Sequence, residues 1–133
     1  VNGVALAGHV VVGNYAIIGG LAAVHQFIHI GDHAMVSGGS LVRKDVPPFT
    51  KAAKEPLSYV GINSVGLRRR GFTSEKIREV QDIYRILYQK NYNTSQALAI
   101  IEAEMEATPE RDEILQFIRS SSRGIMKGYT GAY

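Results

Sequence analysis

Cysteine is absent from the 133-residue chain. That excludes a disulfide framework and any cysteine-based metal site. No apolar run is long enough to span a bilayer, and no secretory leader is visible, so a cytoplasmic protein with no membrane span is expected. An excess of one charge is lacking as well: 15 Lys and Arg stand against 12 Asp and Glu, a formal net charge of +3. Neither the aromatic motif of RNA-binding sheets nor zinc-finger spacing occurs, so no nucleic acid is expected as a partner. The remainder is ordinary for a globular chain, with 45% hydrophobic and 20% charged residues. The length suits one domain or part of a larger one.

What is present is a six-residue beat. Leu6, Val12, Ile18, Val24, Ile30, Val36 and Val42 recur at every sixth position. Two places earlier stand Val4, Val10, Ala16, Ala22, Ile28, Ala34 and Ser40, mostly small or β-branched. Directly after the aliphatics come Ala7, Gly13, Gly19, His25, Gly31, Ser37 and Arg43. This is the hexapeptide pattern of a parallel β-helix. Each unit is one short strand and one turn, and three units close a triangular coil of 18 residues. The aliphatic points inward onto the next coil, about 4.8 Å away, and the second inward position is small because the triangle is narrow. Glycine is expected to give the corner its backbone freedom. The beat opens with the chain and no cap precedes it, which leads us to expect further coils before Val1.

The beat is expected to stop after Val42, where Arg43-Lys44-Asp45-Val46-Pro47-Pro48 marks an exit, since proline cannot donate to a strand ladder. Residues 1–46 are thus read as coils and 47–72 as a connector packed along them. Residues 73–133 are read as a small C-terminal helical subdomain. Thr73 caps a helix to about residue 90, with Ile77, Val80, Ile83, Tyr84 and Leu87 on one face. Thr94 is expected to cap a second helix to about Ala107, and Thr108-Pro109 to open a third. The tail from Gly124 is expected to be loose.

Candidate chemistry gathers at the corners. The 18-residue period stacks Gly8 beneath Gln26 and His9 beneath Phe27, with His25 beside Gln26. A corner histidine faces outward and suits proton transfer near neutral pH. A glycine N–H suits a developing oxyanion. Solvated surface histidines would look the same. His29 and His33 have helical ligand spacing, but in coils a step of four lands on another face, so no metal and no cofactor is expected. Arg68-Arg69-Arg70 suits a diphosphate, because guanidinium binds phosphate bidentately; a solvated cationic cluster is the other reading.

Taken together, Asn2 to Val10, Ala16 to Gly20, Ala23-Val24-His25-Gln26-Phe27, Asp45-Val46-Pro47-Pro48 and Gly66-Leu67-Arg68-Arg69-Arg70-Gly71-Phe72 resemble the acyl-[acyl carrier protein]–UDP-N-acetylglucosamine O-acyltransferase family. The resemblance runs over essentially the whole chain. It implies a left-handed β-helix, a homotrimer with clefts between subunits, and transfer of an (R)-3-hydroxyacyl group from acyl carrier protein to the 3-hydroxyl of UDP-N-acetylglucosamine in lipid A synthesis. Carried over by match, Gly8 is the oxyanion-hole N–H, and His9, His25 and Gln26 contact substrate. Asn63, Arg69 and Arg70 contact the nucleotide and its diphosphate, and Gly38 sets acyl-chain length. The family's general base falls about one coil before His9, upstream of Val1, so this chain by itself is expected to transfer little or nothing. His9 occupies the neighbouring column, too far aside to substitute well. The alternatives are the N-acyltransferase of the same pathway, a zinc hydratase on the same coils, and a non-catalytic trimerising scaffold.

Overall fold

The computed structural model describes residues 3–129; Val1, the motif residue Asn2 and the tail residues Thr130 to Tyr133 lie outside them. Seven two-residue strands come first: β1 (Ala5–Leu6), β2 (Val11–Val12), β3 (Ile17–Ile18), β4 (Ala23–Val24), β5 (His29–Ile30), β6 (Met35–Val36) and β7 (Leu41–Val42). They pair in parallel as β1-β4-β7, β2-β5 and β3-β6, which makes three faces of a left-handed parallel β-helix. Leu6 lies opposite Val24 and Val24 opposite Val42, the expected step of one coil. Burial deepens along the stack: Leu6 and Val12 are 53% and 39% exposed, whereas Val24 is 2% and Ile30 0% exposed. Ala22, Ile28 and Ala34 fill the second inward column.

Two expectations about the coils need correction. The first concerns the glycines. The left-handed corner is not the glycine position but the one before each small inward residue. Gly3, His9, Tyr15, Leu21, Phe27, His33 and Gly39, six apart, all have positive φ between 58° and 77°. Gly13, Gly19 and Gly31 are required for a different reason, the close approach of the next coil. A Cβ on Gly19 would lie 2.3 Å from Gly38 N, and one on Gly31 2.5 Å from Pro48 N.

The second concerns where the coils end. The aliphatic column does not stop at Val42. Val46 bridges Ile30, and Ala52 pairs with Val36, so each is stacked 16 residues on, two fewer than the coils before. The loss of two residues between Val42 and Val46 breaks the sequence period without breaking the stack. Phe49 continues the Tyr15–His33 corner, with φ 69° and its N–H donating to Asp32 O at 2.9 Å. The segment expected as connector therefore begins as a coil. It goes on as an antiparallel hairpin of β8 (Thr50–Ala53) and β9 (Ser58–Ile62), then α1 (Ser64–Arg69).

The helices follow the apolar spacing. Thr73 caps α2 (Ser74–Gln89), accepting from Lys76 N, and Ile77, Val80, Ile83, Tyr84 and Leu87 are its buried side. Asn93, not Thr94, caps α3 (Thr94–Glu104), through a reciprocal box with Gln96. The helix ends before Ala107 because Met105 turns extended. Thr108 caps α4 (Pro109–Ser120), with Glu110 and Asp112 in its first turn to suit the dipole. Tyr84 anchors this layer to the coils by donating to Pro48 O at 2.5 Å.

The tail is not loose where it is described. Buried Asp45 clamps it: one carboxylate oxygen accepts from His29 N at 2.8 Å and the other from Ser121 Oγ. The Asp45 N–H donates to Gly124 O and its carbonyl accepts from Met126 N, both at 2.9 Å. β10 (Lys127–Gly128) then adds to β9 in parallel, and Met126 joins the coil core at 1% exposure.

Candidate functional site

Two corners of the prism carry all the candidate residues but Gly38. The first joins the β1 and β2 faces and holds Gly8, His9, His25 and Gln26, all exposed. The stacking read from the period is observed. The Phe27 N–H donates to Gly8 O at 3.2 Å, and the Phe27 ring lies over the His9 imidazole at 5.1 Å and 11°. Left-handed backbone at both residues (φ 58° and 68°) sends their side chains out in parallel. A Cβ on Gly8 would meet only Gln26 Nε2, at an ordinary van der Waals distance of 3.9 Å.

The second corner joins the β2 and β3 faces. Tyr15, His33 and Phe49 stack there, with centroids 5.1 Å and 5.7 Å apart, and Phe72 closes on His33 edge-on at 5.2 Å. Burial among these rings pulls the His33 imidazole below its ordinary pKa; Asp32 opposes that shift and Arg70 adds to it. Arg70, the C-cap of α1, lays its guanidinium over Tyr15 at 3.9 Å. Arg69 lines a cavity of about 500 Å³ together with Ile17, Met35, Lys51 and Val60. A smaller cavity of about 280 Å³ beside it is walled by Tyr15, His33, Asn63, Arg69 and Arg70. Arg68 turns away and donates to Ser74 Oγ at 3.1 Å, so only two of the three arginines face these spaces.

Asn63 is buried and already engaged. Its Nδ2 donates to His33 O at 3.0 Å and its Oδ1 accepts from Gly66 N at 3.2 Å, which caps α1. It fixes the helix that carries Arg69 and Arg70 and also walls the cavity. Gly38 is exposed on a third corner; a Cβ there would lie 3.0 Å from Gly20 O. His29 packs on Phe117 of α4 at 4.6 Å, on a different side of the coil from His33.

The histidine set and the arginine set thus fall on separate corners, with Gly38 on a third, and neither cavity beside Arg69 and Arg70 takes a wall from His9, His25 or Gln26. The aromatic wall of Tyr15, His33 and Phe72 was missed in the sequence. Its first rung was readable there, because Tyr15 and His33 stand one 18-residue coil apart. Phe49 was hidden by the two-residue shortening.

Comparison with known proteins gives a consistent result. A family model described as UDP N-acetylglucosamine O-acyltransferase, domain 2, matches residues 45–126. The acyl-[acyl-carrier-protein]–UDP-N-acetylglucosamine O-acyltransferase of Myxococcus xanthus is 44% identical over 114 residues, 86% of this chain and 44% of its own. That of Thiobacillus denitrificans is 39% identical over 126 residues, 95% of this chain and 49% of its own. Among solved structures, a UDP-N-acetylglucosamine acyltransferase from Bacteroides fragilis superposes with a TM-score of 0.93 at 45% identity, over 95% of this chain and 49% of that one. One from Arabidopsis gives 0.88 at 37%, over 95% and 47%. The chain spans about half the length of the relatives it matches.

Proposed function

Since the chain belongs to the UDP-N-acetylglucosamine O-acyltransferase family, we propose that it supplies half of a substrate cleft for acyl transfer. The reaction moves an (R)-3-hydroxyacyl group from acyl carrier protein to the 3-hydroxyl of UDP-N-acetylglucosamine, in lipid A synthesis in the cytoplasm. The sugar 3-hydroxyl gives its proton to a general base as its oxygen attacks the thioester carbonyl. The oxyanion that forms accepts a hydrogen bond from the Gly8 N–H; the carbonyl then re-forms, the C–S bond breaks, and the departing carrier thiolate takes up that proton. His9, His25 and Gln26 orient the sugar nucleotide and the donor. Arg69 and Arg70 hold the diphosphate, a role that planar guanidinium fills better than ammonium. Asn63 sets both arginines in place from the wall of the same cavity. Gly38, having no side chain, leaves room for a long acyl chain.

One observation carries the reading: the histidine set and the arginine set occupy different corners of one prism. A ligand with an acyl-accepting sugar at one end and a diphosphate at the other meets both sets when two copies of the chain pack side by side. That favours the homotrimer, in which every cleft has the same two walls.

The test is equilibrium binding of UDP-N-acetylglucosamine, followed by transfer from 3-hydroxyacyl carrier protein. Arg70→Ala is expected to weaken binding about tenfold, the cost of losing a charge-assisted bond. Arg68→Ala is expected to leave it unchanged. Transfer to the free amine of a 3-O-acylated UDP-glucosamine, with none to UDP-N-acetylglucosamine, would move the assignment to the N-acyltransferase, and no binding at all would leave a scaffold.

A further inference from the structure

The stack at the first corner does not end with Phe27. The guanidinium of Arg123 lies over that ring too, 5.5 Å from its centroid, brought there by the pairing of Gly124 with Asp45. Phe27 in turn covers His9, so a cation, a benzyl ring and an imidazole form one ladder beside His25 and Gln26. Phe27 is 50% exposed, and among the described residues its ring meets the His9 imidazole and the Arg123 guanidinium. Arg123 is not needed to hold its own segment. The Asp45 clamp binds Ser121, Gly124 and Met126 through backbone and hydroxyl groups, and the Arg123 carbonyl accepts from Lys44 Nζ at 3.0 Å. The side chain is therefore free to act on the ring.

We propose that Arg123 is a positioning residue for the histidine side of the cleft, fixing the His9 imidazole through Phe27. This rests on the reading that His9 contacts substrate. The cation is drawn to the negative face of the ring and holds it flat. The flat ring covers one face of the imidazole and leaves the nitrogens at its edge free for ligand. The segment that brings Arg123 here lies roughly a hundred residues after His9, so the Asp45 clamp couples the end of the described chain to the first corner.

The experiment is carbon–proton NMR of the His9 ring in the full chain, assigned with His9→Gln, together with UDP-N-acetylglucosamine titration. In the wild-type chain the His9 ring protons are expected upfield, under the Phe27 ring current. Arg123→Ala should move them toward free imidazole and weaken binding about two- to fivefold, the range of one exposed cation–π contact. Arg123→Lys should restore most of both effects. The Met126 methyl signal should stay in place throughout, showing an intact clamp. In a Phe27→Leu background, Arg123→Ala should add nothing to the binding loss. Unmoved His9 signals in Arg123→Ala would overturn the proposal, as would shifted signals with unchanged affinity. Absence of sugar-nucleotide binding by the wild-type chain would instead sink the site reading, and the ring shifts would still decide the ladder.

Discussion

Gly19 and Gly38 meet in the coils with room for no Cβ between them, whereas in the helical layer Tyr84, Ile83 and Ile101 are buried as whole side chains. Both regions bury apolar side chains, yet they constrain the chain differently. The coils are limited by backbone meeting backbone, so single glycines and the corner conformation decide whether one turn can lie on the next. The helices are limited by side-chain volume, so the spacing of apolar residues decides, and the backbone needs only its caps. A coil substitution should therefore fail by adding an atom and a helix substitution by removing several.

The largest expected effect tests that contrast. Gly19→Ala puts a methyl 2.3 Å from Gly38 N and 2.6 Å from Gly38 Cα, and backbone on both sides cannot give way. A loss of about 3 kcal/mol or more is expected, the severe end of overpacking, read as the denaturation midpoint. Gly8→Ala, whose nearest neighbour is 3.9 Å away, should change the midpoint by less than about 0.5 kcal/mol. Equal losses in the two variants would break the comparison.

Asp45→Ala comes next. It strips the partner from the half-buried His29 N–H and releases Ser121, at a cost of about 2–3 kcal/mol. Hydrogen exchange should then show β10 opening first, while α2 and α3 stay protected.

Acidity sharpens the junction between the two regions. The Glu113 carboxyl on α4 is pushed up to about 7, by burial first, then by its hydrogen bond to Asp32 on the coil, the charge of Asp32 and the charge of Glu110. Its acid form is the one that suits the fold. The stability it contributes is full below the ordinary value of 4.5 and is lost as pH rises through about 7. Thermal midpoints should fall across that window, and Glu113→Gln should flatten the fall. An unchanged slope in the variant would remove Glu113 from the account.

The smallest effect concerns the corner backbone. Leu21 holds φ 63° and is 78% exposed. Asn tolerates that conformation better than leucine, so Leu21→Asn should raise stability by about 0.5 kcal/mol or leave it level. The same change at Leu98 in α3, a buried helical position, should destabilise.

Much of the fold was legible because it is written in local periods. The six-residue beat gave the coils, Thr73 and Thr108 gave two helix starts, and the 18-residue step put Gly8 under Gln26 and His9 under Phe27. What escaped depends on distances between segments. The glycines after each aliphatic looked like corner residues, but His9, Tyr15, Leu21, Phe27 and His33 make the left-handed turns, and the glycines answer to the coil above. The stack's passage through Val46 and Ala52 was hidden by two missing residues. The return of residues 121–128 to the coils hangs on one buried carboxylate, Asp45, which carries no periodic signal. Of the candidate site, His9, His25, Gln26, Arg69 and Arg70 were named from family motifs and lie exposed at two corners. Arg123 and the Tyr15 stack needed the third dimension.

On the proposed function, these two corners form one cleft only across two copies of the chain. The direct measurement is sugar-nucleotide binding by a co-refolded mixture of Gln26→Ala and Arg70→Ala chains, each binding poorly alone. In random trimers about a quarter of the clefts pair the intact corner of one variant with the intact corner of the other. Recovery of about that fraction of wild-type sites is expected. No recovery in mixed trimers, with each variant still folded, would place the whole site within one chain and contradict it.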